Sequence, residues 1–169
     1  MTWTISPGIG LLPAKFGMSR VEIAQINGLS ANPRYRIETG FVPEDAEYGV
    51  ESREPHEPSF NYRDGICDRL SAGWRVPNVI FQGFSIFDVS SRAFLAALEE
   101  ANGKPGVLVL GFLEYRNINI SIEGFYLDRD DRFFDKAEMR DQDDRIVIMH
   151  APGPIERFEG AAERPISFL

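Results

Sequence analysis

The sequence predicts an α+β fold made of two copies of a helix-plus-antiparallel-sheet unit, with the two sheets paired or continuous. Three observations predict it. Two serine-capped amphipathic helices start 71 residues apart, at Ser19 and Ser90. Each stops at an Asn-Gly pair, Asn27-Gly28 and Asn102-Gly103. Each is followed by runs of alternating or β-branched residues that read as strands. Repetition of one supersecondary unit is the mark of a scaffold. The first unit is expected over residues 1–78 and the second over 79–150. Residues 151–169 are expected to form an irregular C-terminal tail, the whole making one compact domain.

The first helix is expected over 19–27. Ser19-Arg20-Val21-Glu22 is a capping box, in which the serine hydroxyl takes the Glu22 N–H and the glutamate reaches back to the Ser19 N–H. Met18 and Ile23 stand at the hydrophobic-staple positions, and Gly28 tolerates the left-handed residue that closes a helix. Strands are expected over Tyr35 to Val42, Ser59 to Arg63 and Ile66 to Leu70. The last two flank Asp64-Gly65, a hairpin signal. Between them, Pro43 to Pro58 holds three prolines and six acids and is expected to be a loop, since proline does not belong in a central strand.

Val79 to Gln82 reads as a short buried strand leading into the second helix, expected over 91–102. There Ser90 caps, Val89 and Phe94 form the staple, and Phe94, Leu95, Ala97 and Leu98 recur at helical spacing. Pro105 prevents restart. Val107 to Tyr115 and Ile118 to Leu127 read as long strands around Arg116-Asn117. In the second, Ile118, Ile120 and Ile122 alternate with Asn119, Ser121 and Glu123, which gives one buried and one wet face. Arg132 to Met139 and Arg145 to Met149 complete the strands. Phe94, Leu95 and Leu98 are expected to pack on Ile118, Ile120 and Ile122.

Composition excludes several function classes. With 26 acidic against 18 basic residues the chain carries a formal charge of −8. Direct nucleic-acid binding needs clustered Lys and Arg, so it is not expected. No run of eighteen apolar residues is present, so no membrane-spanning helix is expected. The N-terminal residues lack the charged and apolar regions of a secretory leader. The single cysteine, Cys67, permits no internal disulfide and suits a reducing, cytoplasmic compartment.

Chemistry-bearing motifs are few. Gly8-Ile9-Gly10 lacks the third glycine of a dinucleotide loop. His56 and His150 are the only histidines, and no Gly-x-Ser-x-Gly turn accompanies them. Asp128-x-Asp130-Asp131 and Asp141-x-Asp143-Asp144 suggest calcium ligands but lack the glycine and distal glutamate of that loop. No catalytic residue, metal or cofactor is therefore expected. The remaining candidates are acids on a recognition surface: Glu44, Asp45, Glu47, Tyr48, Glu51, Glu54 and Glu57, then Asp128, Asp130 and Asp131. Such a surface can imitate a nucleic-acid backbone and steer a basic protein onto itself.

Helix-then-sheet units given twice resemble the architecture of β-lactamase inhibitor protein. Phe16-Gly17-Met18-Ser19-Arg20-Val21-Glu22-Ile23 is similar to the Gly-Met-Ser/Thr-x-x-Glu-Val helix start of the SmpA-type outer-membrane assembly lipoproteins. In the second copy Asp88 and Val89 replace the glycine and methionine, and no lipid-bearing cysteine stands near the N-terminus. The chain looks closer to soluble bacterial immunity proteins that neutralise toxins. The resemblance implies an inhibitor that binds a cognate basic toxin domain by occluding its active-site groove. The alternatives are a non-inhibitory scaffold and a small enzyme using carboxylates such as Glu123 and Asp128.

Overall fold

The computed structural model describes residues 1–38, 47–134, 144–153 and 161–169. The fold is α+β and predominantly β. Strands β1 (Trp3–Ser6), β2 (Gly10–Leu12) and β3 (Ala14–Lys15) open the chain. Helix α1 (Arg20–Ala24) is followed by β4 (Arg34–Glu38), β5 (Tyr48–Ser52), β6 (Ser59–Arg63) and β7 (Ile66–Gly73). The hairpin β8 (Val79–Phe81) and β9 (Phe84–Ser85) leads into α2 (Ser91–Asn102). Then come β10 (Gly106–Val109), β11 (Phe112–Tyr115), β12 (Ile120–Glu123), β13 (Tyr126–Leu127), β14 (Arg132–Phe133), β15 (Ile146–His150) and β16 (Glu163–Ile166). A 3-10 turn over Asp128–Asp130 joins β13 to β14.

Nine strands form one antiparallel sheet in the order β16-β10-β11-β12-β15-β7-β6-β5-β4. After α1 the chain runs through the neighbours β4, β5, β6 and β7. After α2 it lays down β10, β11, β12 and β15, and the two runs meet at β7 and β15. A second sheet, β3-β2-β1-β8-β9, contains the parallel pair β1–β8. Both β1–β8 and β7–β15 join the segments before and after residue 78.

The capping signals act as their chemistry predicts. Ser19 Oγ accepts the Glu22 N–H at 3.4 Å and Glu22 Oε2 accepts the Ser19 N–H at 2.8 Å. That N–H and then the Ser19 hydroxyl hold the Glu22 carboxyl below its ordinary range. Ser90 accepts the Ala93 N–H, and Gly103 closes α2 in the left-handed region at φ 69. The first helix is shorter than expected, ending at Ala24 with Gln25 as its cap. Its single turn is held by the box and by buried Ile23, because so short a helix gains little from its own hydrogen bonds.

One face of the large sheet builds the core. Phe94, Leu95 and Leu98 of α2 join Leu113, Tyr115, Ile120 and Ile122, with Ile118 packed at the margin. The small sheet adds Trp3, Ile5, Leu11, Val79 and Phe81 against Val147 and Met149. Aromatic rings knit the layers: Phe94 and Phe125 lie 4.9 Å apart, and the guanidinium of buried Arg145 sits 5.5 Å from the Phe125 ring. Asn102 does more than stop α2. Its Oδ1 accepts the Asn117 N–H at 2.8 Å, and its carbonyl accepts Asn117 Nδ2 at 2.7 Å, which ties the helix end to the β11–β12 turn.

Four expectations are corrected. The long strand over 107–115 is a hairpin, β10–β11, turned by Leu110 at φ 49 and Gly111 at φ 88. Leucine is a poor left-handed residue, so only the glycine signalled this turn. The strand over 118–127 stops at Glu123, where Gly124 at φ 77 breaks the ladder before β13. The expected loop 43–58 contains β5, an interior strand between β4 and β6. Its prolines flank a proline-free segment, Tyr48 to Ser52, that can donate to both neighbours. Gly49 is required there, since a Cβ would collide with the Tyr35 hydroxyl. The expected irregular tail contributes β16, which pairs with β10 at the sheet edge. An edge position tolerates Pro165, whose missing N–H breaks no interior ladder. Tyr35 to Val42 and Arg132 to Met139 are strands at their starts. Residues 39–42 and 135–139 lie outside the described residues.

Candidate partner-binding face

Among the described residues, those singled out from the sequence divide between buried and exposed positions. Glu44 and Asp45 lie outside the described residues. Glu47 and Glu54 are exposed. Tyr48 is buried, with the Arg63 guanidinium 4.7 Å from its ring. Glu51 is 1% exposed and is structural. Its Oε1 accepts Arg53 Nε at 2.9 Å and Nη2 at 2.6 Å, and its Oε2 accepts Arg20 Nε at 3.3 Å. Arg53 also donates to the Ser30 carbonyl. Glu57 is half-buried and clamps the same loop, accepting the Ser30 N–H at 2.6 Å and its hydroxyl at 2.7 Å. Burial raises the Glu57 pKa, but the Ser30 bonds, the Glu54 N–H and Arg53 outweigh it and hold it below the ordinary value.

Asp128, Asp130 and Asp131 are exposed on and just after the 3-10 turn. Asp128 pairs with Arg164, and Asp131 accepts the Tyr126 hydroxyl at 2.7 Å. Among the described residues no group of His, Cys, Asp or Glu is arranged to hold a metal ion. Cys67 is buried, and its thiol is pushed up to about 12 by burial first and by Asp68 second. Such a thiol carries little thiolate at neutral pH. No helix among the described residues is long and apolar enough to cross a membrane.

The alternation of strand residues defines the other face of the nine-stranded sheet. Val50, Val107, Phe112, Ile146 and Ile148 point there, stand outside the core cluster, and are only partly buried. The registers set three polar rows across the centre of this face. One runs Arg36, Val50, Asn61, Arg69, His150. The next runs Arg34, Ser52, then Ser59, Ser71, Ile148, Ser121 and Glu114. At one end Tyr48, Arg63 and Ile66 form a third.

Charge is uneven across this surface. The β4–β7 half carries Arg34, Arg36, Arg63 and Arg69, with Arg63 paired to Asp68 at 3.4 Å. The β10–β12 half carries Glu114 and Glu123, with Arg116 bridging Glu114 at 3.0 Å and Glu163 at 2.8 Å.

Ser121 and His150 meet near the centre, with Oγ 3.0 Å from Nε2. Burial first, and then Arg69, hold His150 down at about 4, so it is neutral at pH 7. A hydroxyl beside a neutral imidazole is part of a nucleophile–base arrangement. Ser121, however, lies within a strand and is 4% exposed, rather than standing on a sharp turn. Sequence reasoning missed Arg69, Asn61, Ser71 and Ser121. Alternation within Asp68-Arg69-Leu70-Ser71-Ala72 places Arg69 and Ser71 on one face, but nothing in the sequence names their cross-strand neighbours. The chain matches no family model, no curated protein and no solved structure in the comparisons made.

Proposed function

We propose that this chain is an immunity-type inhibitor that binds a protein partner, a toxin domain, and neutralises it. The observation that carries this reading, among the described residues, is the second face of the nine-stranded sheet, where Val50, Ile146, Ile148, Ser71 and Arg69 stand outside the core and stay partly exposed. The helices and small sheet supply a core against one face, while partly buried valine, isoleucine, serine and arginine side chains line the other. Mixed apolar and arginine-bearing surfaces of this kind suit protein recognition. The α1-to-β7 and α2-to-β15 runs fit two copies of one unit, the arrangement that the resemblance to β-lactamase inhibitor protein implies. The exposed acids Glu47, Glu54, Asp128 and Asp130 supply the field that steers a basic partner, in keeping with the charge of −8.

Photo-crosslinking in the native cell tests this. A benzoylphenylalanine at Ser59 or Ser71 is expected to capture one discrete protein. The same probe at Val21, exposed on α1 away from the sheet face, is not. Expression of the captured protein should arrest growth, and co-expression of this chain should relieve the arrest. Equal capture from all three positions, or a captured protein whose expression does no harm, would overturn the reading.

A further inference from the structure

We propose that Arg69, with His150, Ser121 and Asn61 around it, forms a binding site for a small oxyanion, a carboxylate or a phosphate. Arg69 is half-buried on an interior strand, and among the described residues it has no counter-ion. The nearest carboxylate in sequence, Asp68, is engaged by Arg63. A guanidinium held on a sheet face offers a planar fork of N–H donors suited to an oxyanion.

Its cross-strand neighbours are the right ones. His150 lies directly opposite on β15 and Asn61 directly opposite on β6. Such pairs stand close enough for their side chains to converge on one ligand. Neutral His150 brings no carboxylate to compete for Arg69, and its Nε2 is bonded to Ser121 Oγ. If Nε2–H donates in that bond, the serine hydroxyl proton is free for an incoming oxygen. Ser71, next to Arg69 on the same face, is too small to cover the guanidinium. Among the described residues, the groups that act on the His150 ring are Arg69 from β7 and Ser121 from β12, while its backbone N–H is taken by the Asn119 carbonyl at 2.9 Å. None of them is an acid that would fill the site from within. This proposal stands apart from the inhibitor reading, because it needs no protein partner.

The test is an NMR titration of the purified full chain at pH 7, following the His150 ring protons and the Arg69 Nε–H. Sodium phosphate, sodium acetate and sodium chloride are added at matched ionic strength. Saturable shifts are expected with phosphate or acetate and not with chloride. Saturation by phosphate alone assigns a phosphate-bearing ligand, and saturation by both assigns carboxylates as well. R69Q should abolish saturation. R69K, which keeps the charge and loses the fork, should weaken it at least tenfold, and it serves if R69Q fails to fold. Shifts that track ionic strength alone, or saturation unchanged in the folded variants, would overturn the site. Neither result bears on capture of a partner by crosslinking.

Discussion

Replacing Glu51 separates a structural acid from a recognition acid. Its carboxylate sits beside Arg53, and the two side chains are 2% and 1% exposed. In E51A the Arg53 guanidinium keeps its bond to the Ser30 carbonyl but loses its hydrogen-bonded counter-charge in a site water does not reach, with only the more distant field of Glu57 left. Removing one partner of a buried ion pair costs about 3–5 kcal/mol. That is a large share of the roughly 5–15 kcal/mol by which a domain is stable. Arg20, whose side chain is 43% exposed, can turn to water and adds little. The assay is urea unfolding followed by far-UV circular dichroism, comparing wild type, E51A and the double variant E51L/R53M. The double variant leaves no unpaired charge, so it should recover most of the loss and lie within about 1–2 kcal/mol of wild type. Lysine at position 51 should be worse than alanine, because it adds a third cation to Arg20 and Arg53. A cost for E51A under about 1 kcal/mol at unchanged m-value, or a double variant no better than E51A, would refute the buried-pair argument.

Three further outcomes are expected. L98A, at a site with no exposure in α2, should cost about 2–5 kcal/mol in the same unfolding assay, and a loss near zero would mean that α2 does not cover the sheet. Y62F should be neutral or slightly stabilising, since the Tyr62 hydroxyl is buried with no hydrogen-bond partner among the described residues; a loss above about 1 kcal/mol would reveal a partner. Stability should fall as the pH drops from about 6.5 towards 4: the unfolded chain takes a proton on His150 near its ordinary 6.5, whereas the folded chain resists protonation until about 4. That gap corresponds to about 3 kcal/mol at most, and H150Q should flatten the pH profile over this window.

Local chemistry was legible wherever it acts through near neighbours in sequence. The capping box at Ser19, the Ser90 cap, the Gly103 stop and the Asp64-Gly65 hairpin each rest on contacts within a few residues. Burial of Phe94, Leu95 and Leu98 followed from helical spacing alone. Two other features depended on distant partners. Tyr48 to Ser52 became an interior strand because β4 and β6 flank it, and this outweighed its acidic, proline-bounded context. Residues 163–166 became a strand because β10 left an edge open to pair with.

The character of Glu51 was decided only in three dimensions. As a sequence element it is one carboxylate in an acidic run. In the fold, the inward phase of β5 places it between Arg20 and Arg53, 31 residues before it and two after it. Arg69 shows the reverse: an ordinary charge in a hairpin becomes a half-buried cation, without a counter-ion among the described residues, once β15 and β6 bring His150 and Asn61 beside it. The sequence by itself determined where both helices start, where α2 ends, the Asp64-Gly65 turn and the burial of Phe94, Leu95, Leu98, Ile120 and Ile122. Only the tertiary structure decided which charges are spent inside and which face outward, because burial and pairing depend on strands that meet across as many as 81 residues of chain, as Arg69 and His150 do.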